Sequence, residues 1–152
     1  MNIENVRTIV LQVIFVTILA LWIMTKNEFM QYWVVSALKD WDACDILYKG
    51  KSYVHALFFA HLTLEKLCKA HWVKNHISNH PPRIHNLLSI IDKTIMKPDN
   101  EQRAFLEKMN AFQMEGRYPD YNNIIYNTSN KNFTQDVLNQ VNTIREWLLI
   151  NL

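Results

Sequence analysis

Apolar residues recur at steps of three and four along most of the chain, the spacing of one buried helical face. From Glu28 to about Lys49 the stripe runs Phe29, Trp33, Ala37, Trp41, Cys44 and Leu47, with Asp40, Asp42 and Asp45 largely off it. Gly50 falls where a helix C-cap would be. Ser52 is placed to cap a second helix reaching about Asn75. There Val54, Leu57, Phe58, His61, Leu64, Cys68 and His71 keep the same steps, while Phe59, Leu62, Leu67 and Trp72 widen the apolar surface. A helix this apolar is central in a bundle or shared with a partner chain. Lys66, Lys69 and Lys74 mark its polar side.

Asn75 to Pro82 reads as a polar turn, and Pro81-Pro82 forces an extended stretch. A third helix is expected from about Arg83 to Ile95, burying Ile84, Leu87, Leu88 and Ile91, until Lys97-Pro98-Asp99-Asn100 breaks it. A fourth from Glu101 carries Phe105, Met109 and Phe112 and should end near Arg117, because Pro119 disfavours helical geometry at Tyr118. Tyr121 to Asn132 is rich in asparagine and reads as loop. Thr134 then opens a last helix with Val137, Val141, Ile144 and Leu148 on one stripe and Trp147 beside it. The chain reads as all-α, without internal repeats.

Residues 8–25 differ from the rest. Between Thr8 and Thr25 the only interior polar side chains are Gln12 and Thr17, and apolar residues occupy every face. Eighteen helical residues reach about 27 Å, close to a hydrocarbon core of about 30 Å. A membrane anchor is physically allowed, and three other readings stand beside it. A removed signal peptide lacks its small-residue cleavage site. A buried or partner-covered helix fits the same pattern, and so does an over-long start, since Met24 would open an ordinary cytosolic chain. Arg7 and the terminal amine roughly balance Lys26 and Lys39, so no orientation follows. The expected organisation is an apolar segment over 1–27 and a helical domain over 28–152, cytoplasmic unless residues 8–25 span a membrane.

Composition narrows the function. With 152 residues, 49% hydrophobic and 20% charged, the chain is long enough for one core and too apolar for disorder. Two glycines and four prolines are too few for a sheet protein with many tight turns. A formal net charge of +2 predicts no nucleic-acid binding by charge alone, so an anionic ligand needs a local cluster. Cys44 and Cys68 lie inside apolar patterns without metal-type spacing and read as buried free thiols.

Four segments carry distinctive motifs. The first helix has the pattern Tyr32-Trp33, Ala37, Asp40, Ala43 and Leu47. The second carries Ala56-Leu57-Phe58-Phe59-Ala60-His61, then Leu64-Glu65-Lys66-Leu67-Cys68-Lys69-Ala70. Pro81-Pro82-Arg83-Ile84-His85-Asn86-Leu87 and Glu115-Gly116-Arg117-Tyr118-Pro119-Asp120 follow. Together, and in this order, they resemble the HEPN domain family. The resemblance implies an up-and-down bundle of four or five helices, commonly a homodimer with its working cleft near the interface. Members include RNases, toxins paired with minimal nucleotidyltransferases, and nucleotide-binding modules.

Arg117 is the first candidate for a site: a guanidinium beside a rigid Tyr-Pro turn offers a fixed fork of donors to phosphate. Glu115 would orient it, and Tyr118 would stack on a base. The plain alternatives are an ion pair pinning the helix end and a buried tyrosine anchoring the loop. Lys66 and Lys69, three apart, would meet one anion or form a solvated face, and Glu65 would join them or simply support Lys69. His85 would serve as a general acid or base, or as a hydrogen-bonded turn residue. The other histidines form no zinc pattern, so neither metal nor cofactor is expected.

The ribonuclease branch resembles an arginine followed, after four to six residues, by histidine. No histidine follows Arg117 at that spacing, Arg83 has His85 too near, and none follows Arg103 or Arg145. Without such a proton carrier, metal-independent RNA cutting is disfavoured. The expectation is therefore a dimeric module that binds a nucleotide or nucleic-acid phosphate and is non-catalytic alone. The rivals are an RNase toxin with an atypical site and a membrane-anchored adaptor without ligand.

Overall fold

The computed structural model describes residues 3–22, 24–115 and 124–152, with backbone alone at residues 3, 15–22, 115 and 124. The described residues form α1 (Ile3–Trp22), α2 (Lys26–Lys49), α3 (Tyr53–Asn75), α4 (Leu87–Ile91), α5 (Asn100–Glu115), α6 (Ile124–Thr128) and α7 (Lys131–Ile150), with no strand among them. The chain is all-α, as its periodicity predicts.

The bundle is organised around α3, which packs against α2, α4, α5, α6 and α7. Ala56, Leu57, Ala60, Leu64, Leu67, Cys68 and Ala70 of this helix are all fully buried. Three of them are alanines, and with the buried Ala37 of α2 they let neighbouring backbones approach closely. A fully buried leucine contributes roughly 1.5–3 kcal/mol, so α3 concentrates much of the driving force for folding. The Lys26 ammonium donates to the His76 carbonyl, which sets the start of α2 beside the end of α3. His71 Nε2 donates to the Leu148 carbonyl (2.8 Å), and Lys74 donates to the carbonyls of Asn151 and Leu152 (2.9 and 2.8 Å), so α3 and α7 finish together. Val137, Val141, Ile144 and Leu148 of α7 are buried, as their stripe requires.

Local chemistry fixes the boundaries. Thr25 Oγ1 accepts from the Glu28 N–H while Glu28 Oε2 accepts from the Thr25 N–H, a reciprocal cap that starts α2 at Lys26. At its other end the Ser52 N–H bonds the Leu47 carbonyl (2.8 Å) and the Lys51 N–H bonds that of Tyr48 (3.0 Å). This is a Schellman closure, but its left-handed position is Lys51 (φ 61°), not glycine. Gly50 is the C-cap with an ordinary φ of −76°.

Four boundary expectations change. Ser52 does not cap α3 through its side chain; its Oγ instead meets His55 Nδ1 at 3.0 Å. The helix expected over 83–95 contracts to Leu87–Ile91, because Asn86 caps it by accepting from Ser89 N–H and Thr94 Oγ1 closes the other end on the Ile91 carbonyl. The expected loop 121–132 contains the short α6. Finally, α7 starts at Lys131, capped by Asn130, and Thr134 is buried inside it. The expected end of the fourth helix near Arg117 lies outside the described residues.

In α1, Val6, Ile9, Val10, Leu11, Val13 and Ile14 are exposed. Among the described residues no helix is long and apolar enough to cross a membrane; the side chains of residues 15–22 lie outside them.

Cys44 and Cys68 are free and buried, and burial pushes both thiols up to about 12, with Asp45 and Glu65 respectively adding to the shift. A disulfide reagent at pH 8 should therefore titrate neither thiol until urea unfolds the chain. Lys51→Gly removes a side chain from a left-handed backbone position and should raise stability by about 0.5–1 kcal/mol in urea unfolding.

Candidate functional site

One buried carboxylate gathers side chains from three parts of the fold. Glu65 of α3 is 4% exposed. Its Oε1 accepts from Lys69 Nζ at 2.7 Å, and His85 Nδ1 lies 3.2 and 3.1 Å from its two oxygens. His61 Nε2 stands 3.5 Å away, too far for a good hydrogen bond, while its Nδ1 donates to the Met109 carbonyl of α5 at 3.1 Å. The Lys69 ammonium also lies 5.2 Å from the centre of the Trp33 ring of α2. Burial pushes the Glu65 carboxyl up, but His61, Lys69 and His85 outweigh it and hold the group at about 2.

This network pins the connection between α3 and α4. Asn75–Asn86 leaves α3, passes Pro81-Pro82, and returns His85 onto Glu65 twenty residues earlier in the chain. The return encloses a cleft of about 280 Å³ between the start of α2 and the connection, lined by Phe29, Tyr32, Trp33, Lys69, His80 and Arg83 among others. Phe29 and His80 meet with ring centres 5.4 Å apart, and Tyr32 meets Trp33 edge-on at 5.5 Å. Tyr32 is 57% exposed. Among the described residues Arg83 makes no ion pair, so its guanidinium is available beside the rings. Aromatic surface next to a cation suits a flat heterocycle that carries negative charge.

The two candidate lysines do not share an anion here. Lys66 Nζ lies 2.6 Å from Asp40 Oδ2 of α2, an ion pair off the ideal hydrogen-bond angle, whereas Lys69 is held by Glu65. Each is neutralised within the bundle. His85 is half exposed at its side chain and is a turn residue that precedes α4 rather than lying within it. Arg117, Tyr118 and the Glu115 side chain lie outside the described residues. Among the described residues no group of three or more histidine, cysteine or acidic side chains is arranged for a metal.

Sequence reasoning missed the cleft and the central place of Glu65. Phe29 and His80 are fifty-one residues apart, beyond any periodic signal. His61 was readable only as a stripe position. The one available pointer was an acid, Glu65, with a histidine four residues before it and a lysine four residues after it in a largely apolar helix.

The family comparison matches the HEPN domain over residues 30–151. The chain belongs to the HEPN domain family. No curated protein and no solved structure matches it. The HEPN match takes in α2 from Met30 onward and α3 to α7, together with the Glu65 network and most of the cleft, and leaves α1 outside.

Two buried groups set the acid response of this HEPN bundle. Glu65 is ionised more readily folded than unfolded, so its contribution is full above its ordinary 4.5 and vanishes as pH falls towards about 2. Burial lowers His71 below its ordinary 6.5 against the Leu148 hydrogen bond, so its contribution is full above 6.5 and declines below it. Urea midpoints should therefore fall below pH 6.5 and fall further below 4.5. Glu65→Ala, which leaves Lys69 buried without a partner, should cost about 3–5 kcal/mol at pH 7.

Proposed function

We propose that this HEPN chain binds a nucleotide, or the base and phosphate of an RNA strand, without cutting RNA on its own. The observation that carries this reading is the cleft in which Tyr32, Trp33, Phe29 and His80 stand beside Arg83. A base stacks on the rings and its phosphate meets the guanidinium, two contacts of the kind that hold single-stranded nucleic acids. Family membership supports a nucleotide- or RNA-related role. The missing arginine-to-histidine spacing supports a binding role over a cutting one.

In the same reading Arg117, oriented by Glu115 and flanked by Tyr118, supplies a further phosphate contact, and the chain works as a homodimer, alone or with a nucleotidyltransferase encoded beside it. Val35, Leu38 and Ile46, exposed along α2, offer apolar area for pairing. One observation favours the RNase reading instead: His85 has one ring nitrogen fixed on Glu65 and a half-exposed side chain, the arrangement a general base requires.

Calorimetry on the full chain with a nucleoside triphosphate and a short single-stranded RNA tests both. Saturable binding is expected, weakened about tenfold by Tyr32→Ala and by Arg83→Ala, with the RNA recovered intact. No binding by the wild-type chain would overturn the proposal. RNA cleavage lost in His85→Ala would replace it with the catalytic reading.

A further inference from the structure

At the opposite end of the α2–α3 hairpin, roughly 30 Å along α3, lies a second cleft of about 220 Å³. Lys51, Ser52, His55, Tyr126 and Ser129 surround it, with the first turn of α3 as its floor. It plays no part in the function proposed above.

Two independent features of this cleft call for an anionic ligand. The first is the bare start of a long helix. The Ser52 side chain gives α3 no cap, being turned to His55 Nδ1, and among the described residues no acceptor meets the N–H groups of Tyr53, Val54 or His55. A 23-residue helix carries about half a positive charge at that end, focused by those donors. The second is Ser129, which is 5% exposed and whose Oγ has no hydrogen-bond partner among the described residues. A buried hydroxyl left unpaired is costly, and Ser129 is one of the residues that line the cleft.

Charge agrees with both features. Lys51 stands at the mouth, exposed, and among the described residues it has no ion pair and no carboxylate lines the cleft. The Schellman closure fixes the Lys51 backbone in the left-handed conformation, a position where glycine is favoured, so the lysine remains there at a cost in stability. Tyr126 meets His55 edge-on at 6.2 Å and forms a rim above the floor.

We infer that this cleft binds a phosphate group: a tetrahedral dianion whose oxygens accept from the first-turn N–H groups of α3 and from Ser129 Oγ, with Lys51 closing over it. Free phosphate and the terminal phosphate of a monoester share this chemistry. Three titrations of the full chain, followed by amide chemical shifts, separate the sources: inorganic phosphate, a nucleoside 5′-monophosphate and the bare nucleoside.

The expected result is saturable binding of inorganic phosphate with shifts concentrated at Tyr53–Ala56 and Ser129. Ser129→Ala and Lys51→Gly should each weaken it on the order of tenfold while leaving the urea midpoint equal or higher, and Lys97→Ala should leave it unchanged. If the monophosphate binds more tightly at the same residues, the natural ligand is a monoester; equal affinity identifies free phosphate. Absence of these shifts up to about 10 mM phosphate, or variants that bind as the wild type does, would overturn the inference. So would the bare nucleoside producing the same shifts. Shifts confined to Tyr32 and Arg83 would also overturn it, while leaving the nucleotide cleft standing.

Discussion

A carboxylate withdrawn from water must be met by charge or hydrogen bonds, and Glu65 is the place where this bundle satisfies that demand. Its partners come from separate elements: Lys69 and His61 from α3 itself and His85 from the connection before α4, with Trp33 of α2 and the Met109 carbonyl of α5 held one contact further out. Removing Glu65 leaves Lys69 buried and without its carboxylate. The network therefore specifies how the 76–86 connection returns to the bundle, a choice that apolar packing alone would leave loose. The cleft beside Trp33 is a consequence of that return.

The same logic explains why both candidate clefts lie at the ends of the α2–α3 pair. Along its middle α3 is largely covered by its neighbours, and Glu65 and Lys69 there are paired with each other. At one end the double proline keeps the backbone extended and sets His80 and Arg83 against α2. At the other the Lys51 turn and the bare first turn of α3 leave donors at a cleft that Ser129 also lines. Each end is chemically distinct: rings and a guanidinium at one, backbone N–H groups, a hydroxyl and an ammonium at the other.

The long helices were legible because each shows a sustained period and buries the face that the period marks. Val137, Val141, Ile144 and Leu148 are the clearest case, and the HEPN resemblance rested on the same segments. What was not legible was short or non-local. Five residues of α6 hold no period, and Asn86 outcompeted the helical reading of Arg83 to His85 by capping a later start. Gly50 does stand at the C-cap of α2, but the left-handed position of the closure belongs to Lys51, which no residue type announced. The site was legible only as a collection of residue types. Glu65, Lys69 and His85 were all singled out, but their meeting depends on the path of the 76–86 connection, and Asp40's capture of Lys66 depends on how α2 packs on α3.

The account stands or falls on the coupling between the buried carboxylate and the returning connection. A double-mutant cycle on Glu65→Gln and His85→Ala, followed by urea unfolding at pH 7, measures it directly. The account predicts an interaction energy of about 0.5 kcal/mol or more, with the double variant less destabilised than the sum of the singles. Strict additivity would mean that His85 does not hold the connection to Glu65, and would contradict it.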